Sequence, residues 1–331
     1  MNIREVPPSQ LVANLLCMLS MLVWSMGLPA ADVLIGLVPP LPLTAARMTL
    51  ACACLLPIWW WREGTAVLRS ANWPRGIAIG GSTLGLGAFL MVAGQGLTDA
   101  VTVAIISASM PVVGIGIEVL LDGRRITAGL VIGLVLSVIG GVMAMDGRSG
   151  SMGLGWGAVL CFVSVLVYTL GSRMSVTSFP QLTPLGRTTV TLCGAALVST
   201  VAALVHAALG GPQPQWDQLG WPQAGALAIF AIGAMALSQL LWISAVGQLG
   251  IALSSLHINA TPFYVMLMLF ALGGSWSWTQ ALAAARPQAP SVLRCSGITS
   301  CAINTPKPTM TAAKAWDQLQ WPPRANSISI T

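Results

Sequence analysis

Runs of about 20 apolar residues recur along this chain, which is the length an α-helix needs to cross the hydrocarbon core of a bilayer. Nine such segments fall at roughly 11–29, 41–61, 76–95, 100–121, 127–146, 153–173, 184–209, 222–246 and 249–272. Short breaks separate them, among them Pro39-Pro40, Arg62-Glu63-Gly64, Thr98-Asp99, Asp122-Gly123-Arg124-Arg125, Phe179-Pro180 and Gly211-Pro212. With no water to satisfy backbone groups inside a bilayer, segments of this kind are helices. Composition agrees. Charged residues make up 7% of the 331 positions, against about 25% in soluble domains, too few to cover a water-facing surface. A soluble enzyme and a disordered regulator are excluded. The net charge of +6 does not signal nucleic acid, because the basic residues stand singly between apolar runs and form no basic face.

Arginine placement sets the orientation. With the N-terminus inside, the inner side carries Arg4, Arg62, Arg69, Arg75, Arg124, Arg125 and Arg173, and the outer side carries Arg148. The positive-inside rule therefore predicts a cytoplasmic N-terminus. Trp59, Trp60, Trp61, Trp73, Trp156 and Trp221, at segment ends, are read as interfacial belts. The spacings Gly76-x3-Gly80, Gly81-x3-Gly85 and Gly129-x3-Gly133 predict close helix crossings. Five of the seven cysteines lie inside apolar runs and read as small unpaired hydrophobes.

The chain repeats itself. Leu22-Val23-Trp24-Ser25-x-Gly27 in the first segment returns as Leu166-Val167-Tyr168-Thr169-x-Gly171 in the sixth. Pro40 precedes Arg47 by seven residues, as Pro180 precedes Arg187. Ser107-x3-Pro111 in the fourth segment is matched by Ile258-x3-Pro262 in the ninth. Matches in one order at nearly one offset imply a duplication. A five-helix unit is odd-numbered, so its second copy enters the membrane inverted, an arrangement found in transporters with a midplane site between the halves.

These features resemble the EamA-like branch of the drug/metabolite transporter superfamily. The residues carrying the resemblance are Arg47 and Arg187, Pro111 followed by Leu120-Leu121-Asp122-Gly123-Arg124-Arg125-Ile126-Thr127, and Asn259-Ala260-Thr261-Pro262 followed by Leu272-Gly273-Gly274. The resemblance spans about residues 10–285 and implies ten helices in two inverted five-helix repeats. The family's Leu-Gly-Glu turns are altered: Arg124 and Gly274 stand where it has glutamate.

The distance from Pro111 to Ala144 in the first copy, taken again from Pro262, predicts a tenth helix at about 279–297, where this chain reads Arg286-Pro287-Gln288-Ala289-Pro290 and then Arg294. Arginine at a bilayer centre costs about 2.5–3.5 kcal/mol. Both lysines, Lys307 and Lys314, lie beyond this point. The expectation is therefore about nine spans, arranged as a first repeat over 1–147, a second repeat over 148–285 with a stub of the tenth helix, and a disordered basic tail over 286–331. A reading-frame shift near Ala285 is its simplest origin, a natural nine-helix variant the alternative.

Ionisable groups inside membrane helices are functional candidates. Arg47 and Arg187 suit anionic groups, with snorkelling to headgroups as the bland alternative. Ser107, Pro111, Gly114 and Glu118 share one helical face, and Pro111 frees a carbonyl there. The ninth segment places Ser254, His257 and Thr261 on one stripe with Ser255, Asn259 and Pro262 beside it. His257 is a candidate to bind substrate or shuttle a proton, with a hydrogen-bonded packing role as the alternative. Gln95 and Gln239 offer amides to a cavity or hold helices together. Pro111 and Pro262 mark helix breaks. No catalytic motif and no metal-ligand spacing occurs, and no cofactor is expected.

The reading is a non-enzymatic secondary transporter or exporter of a small polar metabolite, working by alternating access in a bacterial inner membrane. Its partners are a small-molecule substrate, a coupled proton or other ion, and the lipid bilayer. Nucleic acid is excluded and a homodimer is left open. The rivals are an inactive truncated copy and a non-transporting intramembrane enzyme or sensor. Orientation has a direct check. Periplasmic reporter fusions should be active after Asp32, Asp99, Arg148 and Asp217 and silent after Arg69 and Arg173; the opposite pattern reverses the topology.

Overall fold

The structure is a computed structural model, and it describes residues 10–123 and 155–271. Eight helices in these residues are long and apolar enough to cross a membrane: α1 (Gln10–Ile35), α2 (Pro40–Ser70), α3 (Trp73–Gly96), α4 (Ala100–Asp122), α5 (Trp156–Thr177), α6 (Pro184–Ala208), α7 (Trp221–Leu249) and α8 (Ile251–Ala271). Each matches one predicted span. The predicted fifth span, 127–146, lies outside the described residues, as do the stub of the tenth helix and the tail over 286–331. The described residues are all-helical, with no strand among them, and their eight long apolar helices indicate a multi-pass membrane protein.

Local sequence explains the helix ends. Asp99 starts α4 by accepting from the backbone N–H groups of Val101 (2.9 Å) and Thr102 (3.0 Å), the orphan donors of a first turn. Thr183 does the same for α6 through Gly186 N–H. Gly64, at φ 80° and ψ 172°, interrupts α2 after the membrane-crossing part, a conformation open to glycine.

Helices of the first and second halves interleave. The α1 helix packs along α7, and α3 packs along α5. The α2 and α6 helices face each other, as do α4 and α8. The duplicated motif sits in this exchange. Gly27 of α1 lies against Phe230 and Ala234 of α7, and Gly171 of α5 lies against Thr83 and Leu84 of α3. Both contacted stretches are wound as π-helix, Gly80–Gly85 in α3 and Ile229–Leu237 in α7. Such insertions widen a helix and cluster at functional places. The helices facing each other across the middle are also broken at matching points: α4 at Ala108-Ser109, just before Pro111, and α8 through a 3-10 stretch, Leu256–Ala260, just before Pro262.

Lipid supplies no hydrophobic drive between helices, so association rests on close packing. Met48 and Leu55 of α2, Leu84 of α3, Leu192 of α6 and Met235 of α7 share one buried cluster. The predicted glycine crossing is present: Gly76 and Gly80 of α3 lie on Val190, Thr191 and Gly194 of α6. The tryptophan reading needs a correction. Trp60, Trp61, Trp156 and Trp221 are exposed, as a belt requires, but Trp59 is fully buried. It packs under Gly186 and against Trp73, ring centroids 6.1 Å apart. Three consecutive tryptophans on a helix cannot all face lipid, and Trp59 takes the inward 100° sector. The described cysteines are free; Cys17 and Cys161 are buried, while Cys52, Cys54 and Cys193 are half-buried.

The glycine crossing is testable. A Cβ at Gly80 collides with the Thr191 carbonyl, whereas one at Gly116 meets nothing within 4 Å. Gly80→Leu should destabilise the detergent-solubilised protein by at least about 1–3 kcal/mol, read as a lowered midpoint in thermal size-exclusion assays. Gly116→Ala should leave that midpoint in place.

Candidate functional site

Where the interleaved helices meet, a cavity of about 50 Å³ is enclosed by residues of seven of the eight helices, enough space for a few waters. Arg47 of α2 lines it and is 2% exposed. Its Nε and Nη1 atoms find no hydrogen-bond partner among the described residues. The guanidinium instead lies over the Phe230 ring, its Cζ 3.9 Å from the centroid. Such a cation–π contact is worth about 2 kcal/mol when desolvated, less than the several kcal/mol that burying an unpaired charge costs.

Around Arg47 the lining is mostly apolar. Trp24 of α1 and Tyr168 of α5, the aromatic residues of the duplicated motif, both face the cavity, with Trp242, Met21, Met91, Met110 and Met235. The hydroxyl of Tyr168 donates to Gln239 Oε1 of α7, and Gln239 Nε2 is buried without a partner among the described residues. Ser164 Oγ donates to the Gly87 carbonyl at 2.7 Å, and Ser238 Oγ sits 3.3 Å from Ser20 Oγ. Both serines are therefore engaged in holding helices together. Ser107, at the break in α4, also lines the cavity.

The other predicted residues lie elsewhere. Gln95 donates to the Leu28 carbonyl and to Asp32, both at 2.8 Å, and so ties α3 to α1. Glu118 is buried and accepts from Ala252 N–H at 2.9 Å at the start of α8; it joins α4 to α8. Pro111 and Pro262 are buried beside the breaks they accompany.

Arg187 does not parallel Arg47. The α6 helix opens at Pro184 rather than Pro180, so Arg187 stands in its first turn. There its side chain donates to the Phe179 carbonyl (2.9 Å) and the Pro180 carbonyl (3.0 Å) and closes the preceding turn. The polar stripe of the ninth segment is also broken up. Across the 3-10 stretch residues turn about 120° each rather than 100°, and it is Ile258 that meets the cavity. His257 is half-buried against the Ser254 carbonyl at 3.2 Å. Asn259 is exposed, and Thr261 is buried with its hydroxyl unpaired among the described residues.

Residues 11–145 match the EamA-like transporter family. This stretch contains Arg47, Ser107 and Pro111. Over this stretch the chain is similar to EamA-like transporters, and the likeness, together with eight helices able to cross a membrane, suggests a membrane transporter. A solved structure titled "Crystal structure of protein" is similar in fold, with a TM-score of 0.67 and 22% identity over 82% of this chain and 92% of that one. Coverage that wide extends the fold likeness beyond the EamA-like segment. No curated protein matches the chain.

The two carboxylates at the α4 end separate a buried bond from an exposed one. Asp122 pairs with Arg173 at the surface, where ion pairs contribute about 0–1 kcal/mol. Glu118 satisfies a buried N–H, and orphaning such a group costs about 1–3 kcal/mol. Asp122→Asn should therefore barely move the thermal midpoint, and Glu118→Ala should lower it clearly.

Proposed function

We propose that the chain is a secondary transporter that moves a small metabolite bearing an anionic group by alternating access. The observation that carries this reading is Arg47: a fully buried guanidinium with two donors unpaired among the described residues, facing a cavity between interleaved helices. A buried charge held without a counter-ion is a binding element waiting for one. The EamA-like match over residues 11–145 makes a transported solute the natural counter-ion.

The architecture behind the proposal is two inverted five-helix repeats, bounded at about 1–147 and 148–285. Its support is the exchange of α1 with α7 and α3 with α5, the π-helical stretches in α3 and α7, and the breaks before Pro111 and Pro262. The site residues proposed are Arg47 and Ser107, with Gln239 acting through Tyr168. Pro111 and Pro262 mark hinges at the cavity. Arg187, Glu118, Gln95, His257, Asn259 and Thr261 are assigned to helix ends and contacts around the site. The arginine bias supports a cytoplasmic N-terminus in a bacterial inner membrane, and an ion gradient or exchange supplies the driving force.

The test is uptake by proteoliposomes of a labelled metabolite panel. Arg47→Ala should abolish uptake of the accepted solute while protein yield and monodispersity stay unchanged. Uptake equal to that of the unaltered chain removes Arg47 from the site.

A further inference from the structure

We infer that the Arg47 cavity selects a monoanion with an apolar body, an aryl- or alkyl-carboxylate, over zwitterions, dianions and cations; the inference rests on the transport reading above. The first argument is charge. Arg47 contributes one positive charge, and among the described residues no Asp or Glu lines the cavity. A ligand of net charge −1 neutralises the site. A zwitterion leaves the buried site at +1, with no carboxylate there to receive its ammonium. A dianion leaves it at −1, with one carboxylate desolvated and unpaired.

The second argument is donor supply. Nε and Nη1 of Arg47 are both free of partners among the described residues; they face different sides of the guanidinium, and each can donate one charge-assisted bond to an anion's oxygen. The serine hydroxyls of α5 and α7 at the cavity already serve inter-helix bonds, so little remains to bind the hydroxyls of a sugar or polyol.

The third argument is the wall. Trp24, Trp242, Met91 and Met235 line the cavity beyond the guanidinium. Indoles offer flat apolar faces, and thioethers adapt to irregular aliphatic or aryl shapes. Arg47 itself rests on an aromatic ring, Phe230, so its charge is held by a π-face that a carboxylate can join from the opposite edge without displacing.

The experiment is scintillation-proximity binding of radiolabelled 3-phenylpropionate to the purified full-length chain. Competitors are L-phenylalanine (zwitterion), phenethylamine (cation) and succinate (dianion without an apolar body). The expected result is saturable binding, with each competitor at least about tenfold weaker than unlabelled 3-phenylpropionate, a gap equal to about 1.4 kcal/mol. Arg47→Gln should remove binding. Arg47→Lys, which keeps the charge but not the planar guanidinium, should weaken it while keeping the preference for a monoanion, and so guards against a folding defect. Absence of saturable binding, tighter binding of L-phenylalanine or succinate, or unchanged binding by Arg47→Gln overturns the inference. Counterflow of the same ligand in proteoliposomes separates the two readings. Binding without counterflow overturns transport and leaves the selectivity standing, whereas Arg47-dependent counterflow of a zwitterion or dianion in place of the monoanion overturns the selectivity and leaves transport standing.

Discussion

The contact on which the rest of the structure depends is the seat of a first helix against the π-helical turn of a third helix from the other half. Gly27 on Phe230 and Ala234, and Gly171 on Thr83 and Leu84, are two instances of it. Each removes a side chain where two backbones must approach, and in a bilayer that proximity is the main source of attraction between helices. Because each half borrows the other's helix, neither closes its own interior. The space left over is the cavity, and the aromatic residues three positions before the two glycines, Trp24 and Tyr168, face it. One six-residue motif thus provides both the joint and the wall.

Into that space α2 delivers Arg47. The helix starts at Pro40, so Arg47 lies about 10 Å along it at 1.5 Å per residue, too deep for the short reach of a side chain held on Phe230 to leave the interior. The magnitudes then decide its role. A cation–π contact returns about 2 kcal/mol, and desolvation of an ion costs several. On the transport proposal, the remaining deficit would be recovered when an anion arrives, since hydrogen bonds to a charged group contribute about 1.5–3 kcal/mol each. An intramolecular carboxylate at the same place would have cancelled the deficit and left nothing for a solute to gain.

Much of this was legible in the sequence. Apolar length alone located all eight described spans, because a bilayer leaves helices as the available choice. Arg47 was legible for the same reason: a charge deep in an apolar run has few innocent explanations. Arg187 was misleading because its match to Arg47 was counted from Pro180, and Thr183 caps the helix at Pro184 instead. Four residues of register change a buried guanidinium into a turn-closing one. The polar stripe of α8 failed because the α-helical period assumed for it does not hold through Leu256–Ala260. Tyr168 was in view as part of a motif, yet nothing in one sequence says that a tyrosine hydroxyl will meet Gln239 on a helix some 70 residues away. That pairing comes from the exchange of helices, which periodicity does not encode.

The irregular turns bear on motion. A regular α-helix resists bending, since every carbonyl is engaged four residues on; π and 3-10 turns are places where that register has already been exchanged. In this protein they are not scattered. The break in α4 places Ser107 and Met110 at the cavity, the 3-10 stretch of α8 places Ile258 there, and the π-helical stretch of α7 supplies Met235 and, beneath Arg47, Phe230. Three of the irregular segments thus lie at the cavity, directly or through Arg47, where the proposed anion would sit, whereas the π-helical stretch of α3 stands outside its lining. Neutralising the guanidinium changes the balance of forces on Phe230, and through it on the α7 turn against which Gly27 of α1 is seated. A ligand-sensitive charge, a deformable turn and the joint between the halves are therefore in direct contact, and a rearrangement of the two halves driven by solute binding needs no longer path than that.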